Sequence, residues 1–215
     1  MHLHKLTTHN FAFEAGGSLD QLEIVYHTSE REYQQGERVV WLCHALTANS
    51  DPLDWWPEMV GDGCCIDPNK DYVVCVNIFG SAYGTTGPRT TLHHATPHYT
   101  TLHNPLDFPL FTVRDTARLF TLVREHLGIE HVDLLIGSSI GGFHALEWAI
   151  MEGECIRHAA FIATAPRVSP WLSAWMEVQR MALEADPTFR ACESLDGGRK
   201  GLEAARAISL ISYRS

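Results

Sequence analysis

Apolar residues follow two patterns along this chain, continuous runs and helical repeats. Near-continuous runs rich in valine occur at 37–46 and 70–80, which is typical of strands buried on both faces of a parallel sheet. Residues 10–28 instead alternate apolar and polar positions on either side of Gly16 and Gly17. That alternation predicts two antiparallel edge strands. The front of the chain is therefore expected to begin a sheet.

A helical repeat follows at residues 112–128. Its apolar positions are spaced by four, three, three and four, and they are Val113, Ala117, Phe120, Val123 and Leu127. This spacing places them on one face of an amphipathic helix. Thr112 with Asp115 three positions on resembles a capping box at the start, and Gly128 is a suitable stop.

Strand and helix patterns then alternate. An apolar run at 131–137 predicts a strand, 139–151 a helix and 157–165 a further strand, while 49–63 has the composition of a loop that carries a short helix. This order predicts an α/β fold with a mostly parallel, doubly wound sheet.

From Pro170 onward the pattern is helical only. Helices are predicted at 170–187 and 201–214. We therefore divide the chain into an α/β core at residues 1–168 and the first helices of a helical insertion at 169–215.

Composition narrows the class of function. Apolar residues make up 45% and charged residues 20%, as in ordinary globular proteins. The net charge of -10 argues against nucleic acid and anionic membranes as partners, because both require a basic surface. No secretory signal or membrane-length apolar run is visible. Six cysteines without C-x-x-C spacing favour reduced thiols, so we expect a cytoplasmic protein.

The most specific motif lies between a predicted strand and a predicted helix. Residues 137–142, Gly-Ser-Ser-Ile-Gly-Gly, match G-x-S-x-G, the nucleophile elbow in which a serine stands on a sharp turn. Ser139 is the expected nucleophile, since Ser138 lacks the symmetric glycines. The alternative is a glycine-rich turn in which Ser139 only caps the helix, but the phosphate-loop patterns are missing.

Further segments resemble one family. His44-Ala45-Leu46-Thr47 is similar to the oxyanion-loop motif of the homoserine O-acetyltransferases, which have the α/β-hydrolase fold. Collinear matches to the same family follow at 77–88, 108–115, 137–150, 174–189 and 201–215. The last two segments resemble the first helices of its lid.

The resemblance implies roles for several residues. Leu46 and Ile140 are expected to supply the two backbone amides of an oxyanion hole. Arg206 aligns with the arginine that holds the amino-acid carboxylate, and Tyr213 is a weaker candidate for the same pocket. Without the resemblance, Arg206 and Tyr213 would be assigned to an ordinary amphipathic helix. His44 is interpreted as a residue that shapes the donor loop, not as a base.

The resemblance also implies an activity, the transfer of an acetyl group from acetyl-CoA to the hydroxyl of L-homoserine through acyl-Ser139, in methionine biosynthesis. Acetyl-CoA is a co-substrate, no permanent cofactor is expected, and a homodimer through the lid is expected. Alternatives are succinyl-CoA or serine as substrates, an esterase, and a non-catalytic fragment.

Histidines set the remaining expectations. After Ser139 the chain contains only His144 and His158, and neither is expected to reach the serine. We therefore expect the chain to stop before the Asp and His of the triad, which follow the nucleophile in this fold, and to be nearly inactive alone. The segment 89–107 contains four histidines, but it lacks a ligand pattern for zinc and favours a solvated loop.

Overall fold

The fold was derived from a computed structural model that describes residues 1–88, 108–189 and 197–213. The strands are β1 (His2–Ala12), β2 (Ser18–Thr28), β3 (Val39–Cys43), β4 (Tyr72–Val76), β5 (Leu134–Ser138) and β6 (Ala159–Ile162). The helices are α1 (Pro52–Trp55), α2 (Val113–His126), α3 (Ile140–Met151), α4 (Pro170–Glu184) and α5 (Arg199–Ser212). The predicted alternation of strand and helix is confirmed.

The described strands form one sheet in the order β1-β2-β4-β3-β5-β6. The pairs β1–β2 and β2–β4 are antiparallel, and β3 is parallel to both β4 and β5, as β5 is to β6. The prediction of two edge strands was wrong in part. β2 lies inside the sheet because it also pairs with β4, and β1 starts at His2, eight residues earlier than its alternating segment suggested.

Two apolar layers cover the sheet. On one face Trp41 of β3 packs against Trp148 of α3 with ring centroids 4.6 Å apart, and Phe120 of α2 lies 5.5 Å from Trp148. On the other face Val40 and Leu42 belong to a cluster with the loop before β4. Every residue of β3 and β4 is buried, which explains their continuous apolar runs. All five cysteines of the described residues are free thiols.

Local signals set the bounds of α2. The hydroxyl of Thr112 accepts from the Asp115 amide, and the Asp115 carboxylate accepts from the Thr112 amide, so the predicted capping box is present. Gly128 ends the helix region with φ +67, a conformation that glycine adopts without steric penalty. Both ends of α2 are therefore set by residues of the helix and its immediate flanks.

The described residues form two compact units, one up to Pro166 and one from Arg167. In the second unit α4 and α5 pack together, and the Ser209 hydroxyl on α5 donates to the Gln179 side chain on α4 at 2.6 Å. α4 buries none of its residues. No helix of the described residues is long and apolar enough to cross a membrane.

Candidate active site

Ser139 stands on a strained turn between β5 and α3. Its backbone has φ 54 and ψ -121, and positive φ is uncommon in residues other than glycine. Its amide donates to the carbonyl of Ile162 at 3.0 Å, which ties the turn to the end of β6. The residue is exposed, and within residues 1–88, 108–189 and 197–213 its hydroxyl has no hydrogen-bond partner. Strain of this kind collects at functional sites.

Three glycines make room for this turn. A Cβ on Gly137 would lie 2.4 Å from the Gly141 carbonyl oxygen, and one on Gly141 would lie 2.1 Å from that of Cys43. A Cβ on Gly142 would lie 2.4 Å from the Thr164 methyl carbon. The start of α3 is therefore packed against backbone at the end of β3 on one side and against the residues after β6 on the other.

Two backbone amides are free, one at the start of α3 and one in the turn that follows β3. Ile140 is the first residue of α3, so its amide has no acceptor inside the helix. The Leu46 amide lies in the turn after β3. A hydrogen bond from the Ala48 amide to the Ala45 carbonyl, at 3.0 Å, closes this turn. In the part of the chain that the structure describes, neither amide donates to a protein acceptor. Amides that point at developing negative charge are the donors of an oxyanion hole.

His44 fixes the peptide that carries one of these amides. The ring is fully buried, its Nδ1 lies 2.8 Å from the Ala45 carbonyl oxygen, and its Nε2 lies 3.4 Å from the Ile78 amide. Because a carbonyl only accepts and an amide only donates, Nδ1 carries the proton and Nε2 accepts. Burial lowers the pKa of His44, so the neutral ring is the stable form.

This contact sets the direction of the Leu46 amide. All peptide bonds of the described residues are trans, and in a trans peptide the carbonyl and the amide hydrogen point in opposite directions. The His44 ring holds the Ala45 carbonyl, so the Leu46 N–H is turned away from His44. The interpretation of His44 as a loop-shaping residue thereby gains a physical basis.

The two histidines that follow Ser139 in the sequence are held by contacts with other residues. His144 on α3 is buried against Phe120, and burial lowers its pKa to about 3. His158 is exposed, and its Nδ1 lies 3.1 Å from the Asp133 carbonyl. Among the described residues, no histidine is hydrogen-bonded to Ser139.

The residues expected to bind substrate lie in the second unit. Arg206 and Tyr213 are exposed on and just after α5. The buried side of that helix consists of Gly201, Ala205 and Ser209. The histidine-rich segment 89–107 lies outside the described residues. Within the described ranges, no group of three His, Cys, Asp or Glu side chains is already arranged to hold a metal ion.

Sequence reasoning missed the part played by the end of β6. Ile162 accepts from the Ser139 amide, and Thr164 fills the space beside Gly142. Ala163 between them has φ 49, a second strained residue at the same place. Nothing in the apolar run at 157–165 indicated a contact with a turn more than twenty residues earlier.

Comparison with known proteins agrees with this geometry. A family description of the α/β-hydrolase fold matches residues 38–205. The chain belongs to the α/β-hydrolase fold family. A strained serine between a parallel strand and a helix is the nucleophile position of this fold.

Among α/β-hydrolase-fold proteins, the chain is similar to homoserine O-acetyltransferases. It is 37% identical over 204 residues to the one from Cyclobacterium marinum, covering 94% of this chain and 56% of the relative. The relative from Saccharomyces cerevisiae is 35% identical over 210 residues, with 94% and 41% covered. The resemblance drawn from the motifs is thus confirmed, and the chain spans just over half the length of the bacterial relative.

Two solved structures are also similar to this chain. A homoserine O-acetyltransferase from Staphylococcus aureus superposes with a TM-score of 0.78 at 27% identity, covering 100% of this chain and 59% of that one. An acetylester hydrolase from Corynebacterium glutamicum gives a TM-score of 0.81 at 19% identity, with 97% and 58% covered. The second likeness shows the fold alone.

Proposed function

We propose that this chain is part of an acyltransferase that moves an acetyl group from acetyl-CoA to the hydroxyl of L-homoserine. The observation that supports this most is the exposed, strained Ser139 on the turn between β5 and α3, in a chain similar to homoserine O-acetyltransferases. Acetyl-CoA is a co-substrate and no bound cofactor is needed, because an acyl-serine carries the group between the two substrates.

In the first half reaction the Ser139 oxygen attacks the thioester carbonyl of acetyl-CoA. A base takes the hydroxyl proton, and the carbonyl oxygen becomes an oxyanion that accepts from the Leu46 and Ile140 amides. The carbon–sulfur bond then breaks, and the CoA sulfur leaves with that proton. The histidine that serves as base follows the nucleophile in this fold.

In the second half reaction the homoserine hydroxyl attacks acyl-Ser139. The same base takes the hydroxyl proton, a second oxyanion forms at the same amides, and the proton returns to Ser139 as O-acetylhomoserine leaves. We assign Arg206 to the carboxylate of homoserine, because a guanidinium donates two parallel hydrogen bonds to a carboxylate. Tyr213, close to it on the chain, is proposed as a second contact.

We also propose a cellular location, a pathway and an oligomeric state. We place the enzyme in the cytoplasm and in methionine biosynthesis, and residues 169–215 at the start of a lid. We also propose a homodimer formed through this lid. Support comes from the apolar side chains that α4 leaves exposed, among them Trp171, Met176 and Met181, since large exposed apolar patches mark association surfaces.

Replacing Arg206 separates this function from its alternatives. In the complete gene product, Arg206→Ala is expected to slow transfer to homoserine by about 10- to 100-fold, the effect of losing a two-pronged charged contact of a few kcal/mol. Acylation of Ser139 by acetyl-CoA should stay within about threefold, because only the amino acid carries the carboxylate. Rapid-mixing assays measure the two half reactions separately.

The control is Arg180→Ala, another exposed arginine in the second unit, which should change neither half reaction. Equal slowing of both half reactions by Arg206→Ala would contradict the assignment. Faster reaction with succinyl-CoA or serine would replace the named substrates, and hydrolysis that outpaces transfer would make the protein an esterase.

His44 provides a second test of the site. His44→Ala in the complete gene product should lower kcat by up to about 100- to 1000-fold, the effect of losing one oxyanion donor, because the Ala45–Leu46 peptide is no longer held. His44→Asn should recover most of the loss, since an amide N–H can replace Nδ1–H. Steady-state kinetics with a check of folding by circular dichroism measures both. A base role would instead predict that Asn fails to rescue.

A further inference from the structure

A pocket of about 500 Å³ opens at the end of the sheet opposite Ser139. Tyr72, the first residue of the parallel strand β4, lines it, whereas Ser139 follows the last residue of β5. His2, His4 and His126 line the same pocket, together with Glu30 and Glu32. Nothing in the proposed acyl transfer uses this end of the sheet.

Two of these histidines form a pair on β1. His2 and His4 are two residues apart on a strand, so their side chains lie on the same face. They pair in register with Thr28 and Tyr26 of β2. The two imidazole ring centroids are 4.5 Å apart, and the His4 ring stacks on Tyr26 at 5.1 Å. The spacing suits one ion held between two imidazoles.

Hydrogen bonding fixes the tautomer of His4. The Thr28 hydroxyl donates its only proton to the Ser29 carbonyl at 2.9 Å. The His4 Nε2, 2.9 Å from the same hydroxyl oxygen, must therefore carry a proton and donate it. Nδ1 is left with a free lone pair. Metal-binding histidines are held in this way, one ring N–H bonded to the protein and the other nitrogen open.

The charge around the pocket selects a cation. His126 is the last residue of α2, and the carboxyl end of a helix carries partial negative charge. Glu32 adds a carboxylate, and so does Glu30, which also accepts from the N-terminal ammonium of Met1 at 3.4 Å. The one arginine of the pocket, Arg31, is already engaged, donating to the Pro68 carbonyl at 2.6 Å and to the Glu37 carboxylate at 3.1 Å.

We propose that this pocket binds one divalent transition-metal ion, such as Ni²⁺, Cu²⁺ or Zn²⁺, through His2 and His4, with His126 as the third ligand. Imidazole donors select these ions over Mg²⁺ and Ca²⁺, which prefer oxygen. His2 and His126 are exposed and reach the ion by side-chain rotation, while His4 is held in place by Thr28 and Tyr26.

The test is titration of the chain, without an affinity tag, with NiCl₂ in a calorimeter. The four histidines of the segment 89–107 are first replaced by glutamine, so that they cannot compete for nickel. One ion per chain is expected. His2→Gln and His4→Gln should each weaken binding by at least about tenfold, and His126→Gln should also weaken it.

Two further variants separate a ligand set from a general effect of histidine. Thr28→Val removes the hydroxyl that orients His4 and should weaken nickel binding by about tenfold, as second-shell changes do. His9→Gln, on the same strand but away from the pocket, should leave it unchanged. Circular dichroism confirms that each variant is folded. Equal effects of His9→Gln and His4→Gln, binding of MgCl₂ with the same affinity, or failure to bind nickel would overturn the proposal.

Discussion

Replacing Ser139 by alanine in the complete gene product is expected to lower kcat for acetyl transfer by roughly 10⁴- to 10⁶-fold. The nucleophile and its base act as a unit, so removing the serine alone forfeits most of the rate enhancement. The residual activity is expected to come from the proposed oxyanion donors, the Leu46 and Ile140 amides, which the substitution leaves in place. Steady-state kinetics with acetyl-CoA and homoserine measures the effect.

Ser138→Ala is the matched control. Ser138 is the last residue of β5, it is only partly exposed, and its backbone pairs with Ile162 of β6. Its side chain has no part in the proposed chemistry, so kcat should stay within about threefold. A larger loss from Ser138→Ala than from Ser139→Ala would move the nucleophile to the neighbouring residue.

The sequence was sufficient to predict the elements that position Ser139. The G-x-S-x-G motif was informative because an apolar strand preceded it and a helix followed, and the structure has β5 and α3 there. The capping box at Thr112 and the stop at Gly128 were readable for the same reason, since each depends on residues within four positions. Because these signals depend only on neighbouring residues, they could be recognised without knowing the tertiary contacts.

Contacts between segments that are distant in the sequence could not be predicted from it. The sequence placed His44 at a strand end, but its bond to the Ile78 amide depends on how β3 and β4 pair. The packing of Thr164 on Gly142 depends on the partner that β5 finds in the sheet. The His2–His4 pair was missed because the alternating pattern was identified only from residue 10, so most of β1 was assigned to no element.

Gly141→Ala is expected to lower the free energy of unfolding by more than about 3 kcal/mol. The added Cβ would lie 2.1 Å from the Cys43 carbonyl oxygen and 2.7 Å from that of His44. Overpacking that side chains can relieve costs about 1–3 kcal/mol, but here the obstacle is the backbone of β3, which cannot move without breaking its ladder. Urea denaturation of the 215-residue chain measures the change.

Gly128→Ala provides the comparison for this effect. A Cβ at Gly128 meets nothing within 4 Å, but the residue has φ +67, so only backbone strain of about 1–2 kcal/mol is added. We therefore expect Gly141→Ala to be the more destabilising variant, although Gly141 does not have a positive φ. If Gly128→Ala destabilises the chain as much as Gly141→Ala, the tight contact between α3 and β3 is absent.

Whether Ser139 carries the acyl group is decided by intact-mass analysis of the complete gene product after brief mixing with acetyl-CoA. We expect one acetyl group per chain, located on the peptide that contains Ser139, absent from Ser139→Ala and lost when homoserine is added. An unmodified protein that still transfers acetyl to homoserine, or an acetyl group on another residue with activity retained in Ser139→Ala, would contradict it.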